Sequence, residues 1–428
     1  MITGLNRPSG PVWKRLQFKV DECNHSLAPH SLDLTAILKL CTSKIKQSLP
    51  EENGSTSLTP VKNKINVMLR MMVALIAAGS LTSDARTSPL QDNKSELSLA
   101  SDCGCTSYST WERALQPPAP AVEPIPAHDP TIARDGKSYY LYTTGEGVPF
   151  SSSTDLIHWK PMGAVFQRPP AWAGDLIPGF KSTEWAPHIV KYHDRWLLFY
   201  AVSTFGANRS AIGLATNVTL DPTSNRYAWK DEGLVVETHK GDRWNAIDPN
   251  FSLDRNGSPW LAFGSFWSGL KLIPLDRETC KPLQASTFQT VIPIAERAHT
   301  PDVRGAIEAP FIFMHKEYYY LFASFDLCCK GVDSTYNVRV GRAKEITGPY
   351  LDKEGRSMLD GGGTQVLFPD RRWKGPGHNA VIHAGGIDRI VYHAYDADDS
   401  GRPKLQIRDL KWSRDGWPSV MNEASAPE

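Results

Sequence analysis

Glu308-Ala309-Pro310, leading through an apolar stretch to Tyr318-Tyr319-Tyr320-Leu321-Phe322, is one of five segments built on a single plan. A small polar motif opens each segment, a short β-rich run and a turn follow, and a strand dense in Tyr, Trp, Leu and Phe closes it. The others are His128-Asp129-Pro130 leading to Tyr139-Tyr140-Leu141-Tyr142, Trp185-Ala186-Pro187 leading to Trp196-Leu197-Leu198-Phe199-Tyr200, Ile247-Asp248-Pro249 leading to Trp260-Leu261-Ala262-Phe263, and His378-Asn379-Ala380 leading to Ile390-Val391-Tyr392-His393-Ala394-Tyr395. Pairs such as Asp135-Gly136, His193-Asp194 and Asn256-Gly257 supply the hairpin turns. The repeats recur at intervals of roughly 60 to 70 residues, longer than the ~40 to 50 of short propeller repeats, which leaves room for loops. One four-stranded blade cannot bury both its faces alone, so such units stack radially. The expected fold is all-β, a five-bladed β-propeller over residues 122–428.

Alignment on the Pro or Ala places Asp129, Ala186, Asp248, Ala309 and Asn379 at one position, with His128, Trp185, Ile247, Glu308 and His378 just before it. The first strand of every blade lines the central channel, so these positions converge around the axis. Three of them are acids: Asp129, Asp248 and Glu308. Each is flanked by apolar residues or proline, where an acid is costly unless it has a partner or a function. Singly, each would suit a structural hydrogen bond; three in register point to chemistry. Two carboxyls in different environments are what glycoside hydrolysis needs, one protonated to aid departure of the leaving oxygen and one ionised to activate water. A third can set the first one's pKa. The repeats alone do not say which acid plays which part.

The totals agree with this reading. The 47 basic and 46 acidic residues give a net charge of +1, so no field of one sign gathers nucleic acid or an anionic membrane. The 13 Trp and 14 Tyr suit clefts that stack on sugar rings, although most of them are core. Seven cysteines without a CxxC pair indicate neither a zinc site nor a disulfide scaffold; the adjacent Cys328 and Cys329 are either reduced or joined in a ring within a turn.

Residues 1–67 show no sustained period and read as an extension. The segment 68–85, with Met68-Leu69-Arg70-Met71 before an apolar run, reads as a secretory signal from a start at Met68 or Met71, hence a secreted protein. The apolar run is shorter than the ~20 residues of a membrane span. Residues 86–121 read as a linker. Asn208-Arg209-Ser210 and Asn217-Val218-Thr219 match the glycosylation pattern, a frequent coincidence.

Ala127-His128-Asp129-Pro130, Glu184-Trp185-Ala186-Pro187, Ala246-Ile247-Asp248-Pro249 and Ala306-Ile307-Glu308-Ala309-Pro310 resemble the active-site segments of glycoside hydrolase family 43. Its arabinanase branch is indicated by Ala262-Phe263-Gly264-Ser265-Phe266-Trp267-Ser268-Gly269, by Cys328-Cys329-Lys330-Gly331-Val332-Asp333-Ser334-Thr335-Tyr336, by Gly375-Pro376-Gly377-His378-Asn379, and by Leu405-Gln406-Ile407-Arg408 with Asp415-Gly416-Trp417-Pro418. The resemblance implies an endo-1,5-α-L-arabinanase acting with inversion on arabinan and arabino-oligosaccharides. It makes Asp129 the general base, Glu308 the general acid and Asp248 the residue that raises and orients that acid. Inversion implies about 6.5 to 9.5 Å between base and acid carboxyls. It also implies that His378 reaches a hydrated calcium or similar ion on the propeller axis. One imidazole is a poor calcium site, so water must supply most of the six to eight oxygens. Trp185 and Trp267 are the expected sugar platforms, with Phe205, Asn250 and Ser268 as further substrate contacts. No organic cofactor is expected, and the protein is expected to be a monomer. An exo-acting relative and a non-catalytic glycan-binding propeller stand as alternatives.

Overall fold

The computed structural model describes residues 122–283, 291–301 and 304–420. The expectations for residues 1–67, 68–85 and 86–121 lie outside the described residues. The described chain forms five antiparallel sheets, each a meander in chain order from an inner to an outer strand. Blade 1 comprises Thr131–Asp135, Ser138–Tyr142, Pro149–Ser153 and Lys160–Ala164. Blade 2 comprises Thr183–Tyr192, Arg195–Val202, Ser210–Asn217 and Lys230–Thr238, with the short strand Gly145–Glu146 added at its inner edge. Blade 3 holds Asn250–Leu253, Pro259–Phe263, Leu270–Pro274 and Ile292–Ala295. Blade 4 holds Ile307–His315, Tyr318–Phe325, Asn337–Ala343 and Thr364–Leu367. Blade 5 holds Trp373–Ala384, Ile387–Asp396, Arg402–Trp412 and Pro418–Val420.

The second strands explain the stacking. Both faces of Arg195–Val202 are covered, so it reads as an almost unbroken apolar run. Side chains alternate across a strand. Trp196, Leu198, Tyr200 and Val202 accordingly join the core shared with blade 1, whereas Leu197, Phe199 and Ala201 join that shared with blade 3. In blade 4, Tyr319, Leu321 and Phe325 face blade 3 while Tyr320 and Phe322 face blade 5. A fifth core joins Val391 and Leu405 to Ile132 and Leu141 and closes the ring. The chain's start reinforces that closure: the Ala127 N–H donates to the Pro403 carbonyl at 3.2 Å, and the Leu405 N–H to that of Ile125 at 2.9 Å. No helix among the described residues is long and apolar enough to cross a membrane.

Asn217 is 3% exposed and its carboxamide oxygen accepts from the Val218 N–H, so it offers no amide to a glycan. The Asn208 amide donates to the Asp242 carbonyl at 2.8 Å and is likewise committed.

Candidate active site

Each inner strand begins with a kink. Asp129, Ala186, Asp248, Ala309 and His378 all adopt left-handed backbone, with φ of 50°, 45°, 58°, 53° and 49°. Such residues cost about 1–3 kcal/mol each and persist only where the surrounding fold over-determines them. In blades 2, 4 and 5 the strand register slips at this point, between Trp185 and His188, Glu308 and Phe311, and Gly377 and Ala380. A bulge of this kind re-aims side chains. In blades 1 to 4 the next residue is proline, which needs no ladder partner at a bulge.

The same geometry corrects the fifth repeat by one residue. His378, not Asn379, matches Asp129 and Asp248, while Gly377 matches Glu308 and Asn379 stands at the proline position. The sequence alignment had no proline to anchor it there. The kinks also tie blade to blade. The N–H of Asp129 donates to His393 Nδ1 at 3.1 Å, that of Ala186 to Thr144 Oγ1 at 2.7 Å, that of Ala309 to Asp248 Oδ2 at 3.0 Å, and that of His378 to Ser324 Oγ at 2.9 Å. Each acceptor belongs to the preceding blade around the ring.

The three acids are buried and differently held. Asp129 Oδ2 accepts from Thr144 Oγ1 at 2.6 Å. Thr144 Oγ1 itself accepts the Ala186 N–H, so its own proton is committed to Asp129. His128 Nδ1 lies 2.8 Å from Asp129 Oδ2, and His378 Nδ1 lies 3.1 Å from Oδ1. Burial alone would raise the Asp129 carboxyl; His128 and His378 outweigh it and hold it well below the usual carboxylate range. His378 in turn, despite burial, is pushed up to about 9 by Asp129 first, then Asp248 and Glu308. His393 lies 3.7 Å from Asp129 Oδ1 but forms no ion pair: burial drives it well below its ordinary value, and its Nδ1 serves as acceptor.

Glu308 is held by two hydroxyls, Tyr336 to Oε1 at 2.8 Å and Ser265 to Oε2 at 2.6 Å. Burial raises it, the two hydroxyls and His378 oppose, and the charge of Asp129 adds to the rise. Asp248 has the Ala309 N–H as donor. Burial, then the charges of Glu308 and Asp129, push it up to about 8. Asp248 and Glu308 therefore retain between them a proton that two free carboxyls would lose well below neutrality. The site holds one ionised acid and one proton-retaining pair.

Of the expected substrate contacts, Trp185 and Trp267 are half-buried, one on the inner strand of blade 2 and one on the loop after the second strand of blade 3. Phe266 and Trp267 carry successive positive φ values of 52° and 43°. Lys271 Nζ donates to the Ser268 carbonyl, and the Ser268 N–H to that of Arg243 at 2.8 Å, so this strained turn is braced on both sides. Phe205 is 79% exposed, on the corresponding loop of blade 2. Asn250 does not belong with these. It is 1% exposed, accepts the Ile312 N–H at 2.8 Å, and lines an axial cavity of about 570 Å³ together with His188 and Phe311. It ties blade 3 to blade 4. Thr144, Ser265, Tyr336 and His393 escaped sequence reasoning, although Ser265 and Tyr336 lie within the family-like motifs and His393 within the fifth repeat's strand; Thr144 carried no signal beyond its place after a strand.

Residues 121–418 match the family model for glycosyl hydrolases family 43. The chain is 46% identical over 296 residues to the extracellular endo-α-(1→5)-L-arabinanase 1 of Bacillus subtilis, a match covering 68% of this chain and 87% of that one. It is 43% identical over 300 residues to the extracellular exo-α-(1→5)-L-arabinofuranosidase ArbA of Cellvibrio japonicus, covering 69% and 86%. The solved structure of Cellvibrio cellulosa α-L-arabinanase complexed with arabinohexaose superposes with a TM-score of 0.66 at 43% identity, covering 70% of this chain and 96% of that one. With a match spanning nearly the whole propeller, its acids included, the chain belongs to glycosyl hydrolases family 43.

Proposed function

We propose that this protein hydrolyses internal α-1,5-L-arabinofuranosyl bonds of arabinan and arabino-oligosaccharides with inversion, outside the cell. The observation that carries it is the opposed environment of the carboxyls: Asp129 held ionised, and the Asp248–Glu308 pair holding a proton at neutral pH. Asp129 takes a proton from water as that water attacks the anomeric carbon. Glu308 gives its proton to the departing glycosidic oxygen, and a single displacement inverts the carbon. Asp248, by holding the Ala309 N–H beside Glu308, places the acid and shares with it the retained proton. Trp185 and Trp267 offer ring faces to flanking sugars. A binding-only propeller gains nothing from carboxyls held in opposite states.

The endo reading follows the similarity to the Bacillus subtilis protein, and secretion follows the relatives' extracellular names. Product sizing on debranched arabinan tests it: early mixed oligosaccharides are expected, whereas early monomer would establish exo action. In the Glu308→Gln protein turnover should vanish while oligosaccharide binding persists; undiminished hydrolysis would refute the acid role.

A hydrated cation, calcium by preference, beside His378 is the second part of the proposal. The protein donors do not make a calcium site by themselves, since one imidazole falls far short of six to eight oxygens. A water shell fits better, because Asn379 and His188 keep buried polar atoms without a protein partner. Such an ion would need His378 as the neutral imidazole, so its positive charge near the acids would take the place of the His378 proton, and it would take no step of the reaction. A calcium-dependent rise in melting temperature, lost in His378→Ala, is expected; no response of either protein would sink it.

A further inference from the structure

Cys328 and Cys329 are joined to each other on the loop between the second and third strands of blade 4. Cys329 is exposed; its N–H donates to Tyr395 Oη at 2.8 Å and its sulfur lies 3.9 Å from His128 Nε2. The other ring nitrogen of His128 faces Asp129. A single imidazole therefore separates the disulfide from the ionised acid. The same loop ends at Tyr336, the donor to Glu308. It is seated on blade 5 by backbone contact: a Cβ on Gly401 would meet the Val332 nitrogen at 2.7 Å and the Gly331 Cα at 2.8 Å.

We propose that the Cys328–Cys329 disulfide is a substrate-contact surface, an apolar platform for the C–H face of an arabinose unit on the Asp129 side of the cleft. This rests on the arabinan reading. Trp185 and Trp267, half-buried on blades 2 and 3, are the ring faces of the proposed function. Near Asp129 the tyrosines of blades 4 and 5, Tyr336 and Tyr395, are buried, with their hydroxyls committed to Glu308 and to the Cys329 N–H. The disulfide is open to solvent there at Cys329, and Val332 is exposed on the same loop. Sulfur without a thiol proton donates no hydrogen bond and is polarizable, which suits contact with C–H groups. Linking adjacent cysteines also fixes both side chains before binding, so little conformational freedom is lost when a sugar arrives. An extracellular medium keeps the bond oxidised.

Alkylation and intact-mass analysis of the folded protein should find this pair protected until reductant is added. Cys328→Ser/Cys329→Ser should raise KM for arabino-oligosaccharides about 5- to 10-fold, with kcat within about 2-fold and the basic limb of the pH profile in place. Should the double variant misfold, phosphine reduction of the folded wild type gives the same readout. Calorimetry with arabinohexaose in the Glu308→Gln background reads the affinity loss even if the wild type fails to cut arabinan, so the platform and the hydrolase reading fail separately. Unchanged KM and affinity would overturn the proposal. A fall in kcat with a displaced basic limb would also overturn it, because the loop would then act only by holding Tyr336. Alkylation without reductant would do the same.

Discussion

Replacing Tyr336 by Phe removes one hydrogen bond and little else. The phenol donates to Glu308 Oε1 at 2.8 Å, and burial with the nearby carboxylates holds it well above its ordinary pKa, so it is always a donor. Its ring packs flush against Gly377, and phenylalanine keeps that contact. The phenol stabilises the ionised form of Glu308 and thereby lowers its pKa. A hydrogen bond to a charged group contributes about 1.5–3 kcal/mol. At 1.36 kcal/mol per pH unit, its loss raises the shared titration of the Asp248–Glu308 pair by about 1–2 units. The assay is kcat/KM against pH on debranched arabinan, which reports the free enzyme's acid and base. The basic limb should move to higher pH by that amount while the acidic limb moves little. A basic limb that stays in place, or moves down, would refute the assignment of Glu308 as the group that must carry the proton.

Asp248→Asn keeps an oxygen for the Ala309 N–H but removes a buried charge. With Asp248 raised to about 8, the wild type's folded state holds that proton more tightly than the unfolded chain. Its contribution is intact at low pH and is lost as pH climbs from the ordinary carboxyl range through about 8. The variant should lose activity yet melt higher than wild type at pH 9, with a clearly smaller difference at pH 5; equal melting shifts at both would contradict the buried-charge account. Gly377→Ala would place a Cβ 1.9 Å from the Tyr336 ring. Overpacking of this kind costs about 1–3 kcal/mol, so denaturation should show a lower midpoint along with reduced kcat. Thr144→Val strips Asp129 of its committed donor, and kcat should fall at least about 10-fold with restoration in Thr144→Ser. A Val variant with normal kcat would show that this donor does not matter.

Asp129, Asp248 and Glu308 were legible because the repeat carries its own signature. A polar motif before an apolar strand recurs five times, and period-2 burial between neighbouring blades demands that recurrence. Proline marked the kink in four repeats and failed in the fifth, where asparagine stands instead and the register slid by one. Stacking residues were only half legible, since an aromatic ring in core and one in a cleft look alike in a sequence.

The order of the strands, the count of blades and the identity of the three acids were properties of the chain alone, because local alternation and recurrent motifs encode them. Their ionisation was not. Asp129 and His393 are 264 residues apart, Asp248 reaches Ala309 across 61, and Ser265 reaches Glu308 across 43. Packing of blade 3 on blade 4 brings the last two pairs within bonding distance, and closure of the ring from blade 5 to blade 1 brings the first. A carboxyl's charge state depends on burial and on near neighbours of either sign, and both exist only once the blades are assembled.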